Sequence, residues 1–293
     1  MFLEQFTYFA PQSAAEVITL LGRLGNRAKV LAGGTDLLNL MKDRILAPEY
    51  LINVADITEL RGIVYEPGKG ATIGASTKIA EIEHSEIIHD KYFALHQAAG
   101  ALGSAQVRAM ATIGGNSCNA SPAAETPTPL VALGAEVVIS SLTGERQIPL
   151  EQFITGNRKT ALAEGELLTK FILPEPAPGS AGRYSHFGLR DAMEIDAVNM
   201  AVNLVMEDDG LTVKDLKLVM GSVAPRPLVS VKVPGLLIGR KFSDALVEEA
   251  ALEASGEAKP ISDIRASAEY RCEVLAVLAR RLLYETFAAA REV

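Results

Sequence analysis

The sequence predicts an α+β protein with two domains, the first of which is divided into two subdomains. Its 293 residues exceed one typical domain, since domains commonly take about 100–200 residues. Helix-like and strand-like apolar patterns alternate through the first 60 residues, whereas two β-rich runs and then two helices follow residue 183. Proline and glycine crowd the segment 174–182, which is typical of a linker. We therefore expect domains at residues 1–176 and 183–293, with the subdomain boundary near residue 58.

The first subdomain begins with a helix that has clear start and stop signals. Ser13-Ala14-Ala15-Glu16 matches a capping box. In this motif the serine side chain accepts from the N3 backbone N–H, and the glutamate side chain accepts from the backbone N–H of the serine. Apolar residues then recur at helical spacing until Gly25, which suits the C-terminal stop. A short buried strand is expected at 29–32, a helix at 36–41 and a second strand at 51–54.

The second subdomain combines a meander with helices. Strands are expected at 63–65 and 71–73, on either side of the turn Pro67-Gly68-Lys69-Gly70. The apolar stripes of 79–103 predict a helix. The long segment 112–129 is rich in glycine, serine, asparagine and proline, and such a segment inside a domain is usually functional or disordered. We expect it to be ordered against something, with a short helix at 130–133 and a strand at 135–140 after it.

The C-terminal domain has a simple pattern. Two β-rich runs, 197–206 and 211–223, are joined by the hairpin-type turn Asp208-Asp209-Gly210. Helices are expected at 243–255 and 268–290, and the last of them carries its apolar residues on one face.

Composition and charge exclude several classes of function. The 28 basic and 36 acidic residues give a net charge of −8 and a pI near 5.2, which argues against nucleic acid as a partner. Two cysteines, Cys118 and Cys272, are too few for a disulfide framework, a four-cysteine zinc site or a thiolate-ligated iron–sulfur cluster. No signal peptide and no apolar run of about 20 residues is visible, so we expect a cytoplasmic protein without a membrane span. The spacing of the histidines shows no pattern of metal ligands, so no metal site is expected.

Two glycine pairs are the strongest candidates for a binding site. The first lies in Ala32-Gly33-Gly34-Thr35-Asp36, directly after a predicted strand, and the second in Thr112-Ile113-Gly114-Gly115-Asn116. Glycine allows positive φ and leaves no Cβ in the way, so successive N–H groups can form a nest for an anion such as a diphosphate. A tight turn explains one such pair equally well, but two pairs favour a ligand with a diphosphate. Neither segment matches the G-x-G-x-x-G dinucleotide motif or a P-loop.

These two loops resemble the FAD loops of the medium, flavin-binding subunit of the molybdenum hydroxylases, the family of xanthine dehydrogenase and aerobic carbon monoxide dehydrogenase. The resemblance covers essentially the whole chain. It is carried in addition by the segments Gln106-Val107-Arg108, Asn119-Ala120-Ser121-Pro122-Ala123-Ala124-Glu125, Gly165-Glu166-Leu167-Leu168-Thr169 and Ser267-Ala268-Glu269-Tyr270-Arg271.

The resemblance implies a PCMH-type FAD-binding fold followed by a C-terminal α/β domain of the carbon monoxide dehydrogenase flavoprotein type. No catalytic side chain is expected, because the redox chemistry belongs to the FAD. The residues that it assigns to the cofactor are Ala32, Gly33, Gly34, Thr35 and Asp36, then Thr112, Ile113, Gly114, Gly115 and Asn116, and finally Ser121, Glu125, Leu168, His186 and Ile195.

Within that set the resemblance implies distinct roles. Ser121 and Glu125 would bind the ribityl or diphosphate side, Leu168 would lie beside the adenine or the ring system, and the segment 193–196 with Ile195 would approach the isoalloxazine. Many relatives have Asp in place of Glu125, and relatives often have Lys near His186. A cation there stabilises the negative charge of the reduced flavin. From the residues alone, Glu125 as the cap of a helix starting at Thr126 and His186 as a structural histidine remain open.

The resemblance also implies partners. An electron-transfer subunit would receive electrons from [2Fe-2S] clusters on a small subunit, and the molybdopterin cofactor would sit on a large subunit, in a dimer of heterotrimers with NAD as the external acceptor. A self-contained flavin reductase of the same fold and a non-catalytic scaffold subunit without flavin are the alternatives. The sequence names neither the organic substrate nor the terminal acceptor.

Overall fold

The first 60 residues fold around a small parallel sheet in which β3 is central and pairs with β1 and β2. The computed structural model describes residues 3–190 and 193–292. Two short 3-10 helices, Gly25–Arg27 and Thr58–Leu60, connect elements here. The elements are β1 (Thr7–Phe9), α1 (Ala14–Leu24), β2 (Ala28–Leu31), α2 (Leu37–Lys42) and β3 (Tyr50–Asn53).

Helix α1 begins and ends where the sequence signals predict. The Ser13 Oγ accepts from the Glu16 N–H at 3.2 Å, and Gly25 stops the helix with a φ of 60°. The capping box is only half formed, because the Glu16 carboxylate accepts from the Gln12 N–H at 2.9 Å rather than from Ser13. The apolar face of α1 packs into the core of this subdomain with Ile52 and Val54.

The second subdomain is built on a five-stranded sheet with the order β4-β5-β10-β6-β7, and every pairing in it is antiparallel. Its helices cover the sheet and enclose the largest apolar core of the chain. The elements are β4 (Ile63–Glu66), β5 (Gly70–Gly74), α3 (Ile79–Glu83), α4 (Glu86–Lys91), α5 (Phe93–Ala101), α6 (Ala105–Arg108), α7 (Ile113–Asn119), α8 (Pro127–Ala132), β6 (Glu136–Ser141), β7 (Gly144–Pro149), α9 (Leu150–Phe153), β8 (Ile154–Gly156), β9 (Lys159–Thr160) and β10 (Leu167–Leu173).

The helical pattern predicted for 79–103 is confirmed, and the chain divides it among three helices, α3, α4 and α5. Ser85 starts a new helix by accepting from the Ile88 N–H at 3.3 Å. Tyr92 leaves helical geometry with φ −135° and ψ 50°, and its hydroxyl donates to the Pro174 carbonyl at 3.0 Å. The break between α4 and α5 therefore depends on the burial of Tyr92 against the end of β10. An apolar stripe in the sequence does not reveal such a break.

The C-terminal domain is an antiparallel meander, β11-β12-β13-β14, that is covered on both faces. Met200 and Val202 of its central strand pack under its own helices, whereas Ala201 between them joins the core of the second subdomain. The two domains thus share an apolar contact. The elements are β11 (Ser180–Phe187), β12 (Val198–Met206), β13 (Val213–Gly221), β14 (Leu228–Val229), α10 (Lys232–Leu237), α11 (Asp244–Glu257) and α12 (Ala268–Ala290).

Within the described residues, none of these helices combines the length and the apolar character needed to span a bilayer.

Candidate functional site

The first glycine loop, residues 32–36, connects β2 to α2 and has the geometry of an anion-binding nest. Gly34 has a φ of 73°, which favours glycine. A Cβ on Gly33 would lie 1.9 Å from the carbonyl oxygen of Met110, so the loop rests directly on the backbone before α7. Among residues 3–190 and 193–292, the N–H groups of 33–36 donate to no acceptor. Four neighbouring donors without a partner suit a diphosphate.

The second glycine segment is the first turn of α7 rather than an open loop. Thr112 caps the helix by accepting from the Gly115 N–H at 3.0 Å. The Ile113 N–H donates to the Thr77 carbonyl at 3.1 Å and the Gly114 N–H to the Ala75 carbonyl at 2.8 Å. The expectation that this segment presents a row of free N–H donors is therefore wrong. Its Asn116 accepts instead from the Thr126 hydroxyl at 2.6 Å, which ties α7 to the start of α8.

The loop 121–125 carries a buried carboxyl group. The Ser121 Oγ accepts from the Ala123 N–H at 3.3 Å. Glu125 is only 9% exposed. Burial and the nearby charge of Asp196 raise the pKa of Glu125 to about 8, against weaker opposing effects of its own backbone N–H and of His186. Glu125 is therefore largely neutral at pH 7. It does not cap α8, whose N-cap Thr126 has no side-chain capping bond.

The C-terminal domain contributes a hydrogen-bonded pair, His186 and Asp196. The His186 Nδ1 lies 2.8 Å from the Asp196 Oδ1. The Tyr184 hydroxyl and the Asn199 amide donate to the other carboxylate oxygen at 3.2 and 3.0 Å. Asp196 is 3% exposed, so this carboxylate is fixed from three sides. Its hydrogen bond raises the pKa of His186 despite partial burial.

A hydrogen bond brings these groups into one region, because Asn199, which donates to Asp196, accepts from the Thr128 hydroxyl at 2.7 Å, three residues after Glu125. The charges of Asp36, Asp196 and His186 all affect Glu125. We call Asp36, Glu125 and Asp196 the carboxyl cluster. Burial raises the pKa of Asp36, and the Arg158 guanidinium opposes that effect. The site therefore combines residues from both subdomains of the first domain with residues of the C-terminal domain.

Two other residues predicted to contact the cofactor, Leu168 and Ile195, differ in their exposure to solvent. Leu168 is buried in β10, paired with Ile139, and its side chain belongs to the hydrophobic core. Ile195 is 52% exposed, in a segment where Leu189 and Met193 are exposed too. An exposed apolar segment next to the His186–Asp196 pair is available to cover a flat aromatic ligand.

Asp196 lies in the segment 193–196 that the resemblance places near the isoalloxazine, although an acid there is equally compatible with a solvent-facing position. Sequence reasoning left Arg158 out of the site. Arg158 follows a glycine turn, has a φ of 55°, and donates to the Asn119 side chain at 3.2 Å. Together with Ala120, Met193 and Ser222 it is one of several non-glycine residues with positive φ near the site. Such strained positions are common at binding sites.

The residues present fit a flavin dinucleotide and do not fit a metal centre. The free N–H groups of 33–36 and the Arg158 guanidinium suit the diphosphate, while the uncharged Glu125 avoids a repulsive charge near it. Within the part of the chain that the structure describes, no group of three His, Cys, Asp or Glu side chains could hold a metal ion.

Comparisons with known proteins point the same way. Residues 4–176 match the family described as the FAD binding domain in molybdopterin dehydrogenase, and residues 183–286 match the carbon monoxide dehydrogenase flavoprotein C-terminal domain. The chain is 33% identical to the carbon monoxide dehydrogenase medium chain of Hydrogenophaga pseudoflava, over 97% of this chain and 98% of that one. It is also 33% identical to the glyceraldehyde dehydrogenase medium chain of Sulfolobus acidocaldarius, over 97% and 99%.

A solved structure agrees in its fold. A chain of carbon monoxide dehydrogenase from Hydrogenophaga pseudoflava superposes with a TM-score of 0.94 at 32% identity, covering 98% of this chain and 99% of that one. The fold predicted from the resemblance is thereby confirmed.

Proposed function

This chain belongs to the FAD-binding medium subunits of the molybdenum hydroxylases, and from that premise we propose that its FAD lies across the first glycine loop and the carboxyl cluster. The observation that carries this placement is the row of N–H groups at 33–36, for which the described residues supply no acceptor, and which ends at Asp36, whose charge acts on the buried Glu125. We keep the predicted division at 1–176 and 183–293, in which each domain supplies one side of the site.

Each residue has a separate task in this proposal. Bound FAD takes up electrons and passes them on, and the chain supplies binding, orientation and electrostatics. The N–H groups of 33–36 and Arg158 hold the diphosphate. The turn 112–116 shapes the floor of the site by packing, and Ser121 and Glu125 contact the ribityl side. His186 and Ile195 approach the ring, while Leu168 supports it from within the core.

The chain works in a complex with other subunits. It is an electron-transfer subunit of a molybdenum hydroxylase, and the family's medium chains act with large and small subunits. With two cysteines, both free, it has no ligand set for a cluster of its own. We propose that electrons arrive from [2Fe-2S] clusters on the small subunit. We further propose a dimer of heterotrimers, a cytoplasmic location and NAD as one possible acceptor. The relatives differ in substrate, which fits substrate contacts that lie on another chain.

The isolated chain tests this division of labour. We expect it to bind FAD stoichiometrically, to be bleached by dithionite and reoxidised by an added acceptor, and to oxidise no aldehyde or purine by itself. Visible spectra and turnover assays on the purified chain measure this. Turnover of a small substrate without molybdenum would favour a self-contained flavin reductase, and a colourless chain that takes up no added FAD would favour a scaffold subunit.

A second prediction concerns His186. If the ring carries its proton near the flavin, the midpoint potential of bound FAD falls more steeply with pH as His186 loses that proton. His186→Lys is expected to raise the potential at alkaline pH by about 30 mV, and His186→Ala to lower it at acidic pH by a similar amount, since one pKa unit corresponds to about 30 mV for two electrons.

Spectroelectrochemistry of the three proteins across pH measures the effect. The matched control is His84→Ala, since His84 is exposed at the end of α3, where its Nδ1 lies 2.7 Å from the Ala80 carbonyl and 4.0 Å from the Glu83 carboxylate. Parallel curves for wild type and both His186 variants would remove His186 from the flavin site and leave it as a structural histidine.

A further inference from the structure

Arg271, at the start of α12, is a buried arginine that joins three separate segments of the chain. It is 3% exposed. Its Nη1 donates to the carbonyls of Ala197 and, at 3.3 Å, of Ser222. Its Nη2 donates to the Asp263 carboxylate at 2.7 Å. A guanidinium is suited to this because its donors diverge in one plane, which an ammonium group cannot reproduce.

The first of these segments is directly attached to the His186–Asp196 pair. Ala197 follows Asp196, and its own N–H donates to the Phe187 carbonyl at 2.8 Å, next to His186. The backbone of Ala197 is therefore held on both sides of its Cα, at the N–H by Phe187 and at the carbonyl by Arg271. Movement of this backbone carries Asp196 with it and changes the 2.8 Å hydrogen bond to His186.

The second segment leads to the other half of the site. Ser222 has a φ of 64°, and its N–H donates to the Pro122 carbonyl at 2.8 Å. Pro122 lies in the loop that ends at Glu125. Arg271 thus reaches the Glu125 loop through one peptide and the Asp196 segment through another, although those two parts belong to different domains.

We propose that Arg271 is a positioning residue that sets the placement of Asp196 against His186 and of the Glu125 loop opposite them, and thereby the electrostatics of the flavin ring. This rests on the proposed function for its consequence at the flavin, but the positioning of Asp196 and His186 is a property of the chain itself. Arg271 contacts neither His186 nor the carboxyl cluster and acts only through the backbone of 197 and 222.

Within the described residues, four charged or titratable groups face His186. Asp196 makes the hydrogen bond, Glu125 faces it from the loop before α8, and Glu194 lies in the preceding segment. Tyr184 lies on the same strand as His186 and shares Asp196. Lysine in place of Arg271 keeps the positive charge, so a changed His186 titration in that variant reports altered position rather than a lost charge.

The test is a titration of His186 by NMR in the full chain, with the four histidines labelled and His186 identified by the loss of its signal in His186→Gln. In Arg271→Lys we expect the measured pKa of His186 to fall by about one unit, because a loosened Asp196 stabilises the imidazolium less. Asp263→Asn, which weakens the contact of Asp263 with Arg271 and with its near neighbour Arg265 but leaves both backbone contacts of Arg271 in place, is expected to shift it in the same direction by less. Arg280→Lys is the control, since Arg280 lies on the same helix but pairs with Glu248 on the surface.

The outcomes separate the two proposals. Arg271→Lys could lower the melting temperature while the measured pKa of His186 stays the same as in the wild type. In that case Arg271 has a structural role only, and the inference is overturned. If that variant does not fold, Asp263→Asn decides: an unchanged His186 titration overturns the inference, and a downward shift supports it. If the titration moves as expected but the pH profile of the FAD potential does not follow, the positioning role stands and the proposed place of His186 at the flavin fails.

Discussion

Gly33→Ala is expected to weaken FAD binding by roughly 100-fold or more, corresponding to about 3 kcal/mol. The new Cβ would lie 1.9 Å from the Met110 carbonyl oxygen and 3.0 Å from the Ala111 Cα, so loop and backbone must move apart. The N–H groups of 33–36, which have no acceptor in the described part of the chain, then move with the loop away from the bound diphosphate. Since a hydrogen bond to a charged group contributes about 1.5–3 kcal/mol, misaligning two of them accounts for the loss. Retained flavin after gel filtration, and a binding titration followed by flavin fluorescence, measure it.

The control for this substitution is Gly235→Ala. Gly235 lies in α10, a Cβ there meets nothing within 4 Å, and its φ is not in the left-handed region. We expect this variant to bind FAD like the wild type. Circular dichroism of both proteins confirms that each is folded. Stoichiometric FAD in a folded Gly33→Ala protein would remove the first glycine loop from the site.

Glu125→Gln is expected to stabilise the FAD-free chain at alkaline pH by a few kcal/mol. The pKa of Glu125 is about 8 in the folded protein and near 4.5 when unfolded, so the folded state binds the extra proton between these values. The free energy of unfolding is therefore undiminished below about pH 4.5 and falls as the pH rises toward 8, by at most about 1.4 kcal/mol per pH unit. Glutamine keeps the neutral shape and removes this slope. Urea unfolding at pH 5 and pH 8.5 measures the difference.

His186 contributes a slope of the same sign, because its pKa is also raised by folding, first by the Asp196 hydrogen bond and to a smaller extent by the charge of Glu125, so Glu125→Gln leaves the larger part of it in place. The control is Glu249→Gln, an exposed residue on α11, which is expected to follow the wild type at both pH values. If the Glu125→Gln and wild-type profiles run parallel from pH 5 to 8.5, Glu125 ionises as an ordinary surface carboxyl and its assignment as the uncharged wall of the site is wrong.

Local signals in the sequence determined much of this fold. The Ser13 cap and Gly25 place α1, and the last helix runs over the predicted range, Ala268–Ala290, with a cap at Ser267. These elements are predictable because a cap and an apolar stripe act within a few residues of one another. The glycine loops and the order of the family's segments likewise sufficed to identify the FAD-binding family, and the first loop has the free donors that its residues predict.

The tertiary structure alone decided how those segments meet. The residue type of Asp196 is equally compatible with a surface charge, but the fold of the C-terminal domain buries it against His186, Tyr184 and Asn199. The second glycine pair had the composition of an open nest, yet the carbonyls of Ala75 and Thr77 occupy its N–H groups. The unusual pKa of Glu125 depends on burial and on charges distant in sequence. In each case the residues that bury a group or hydrogen-bond to it are distant from it in sequence. Residue type and local spacing do not determine which distant residues the fold brings into contact.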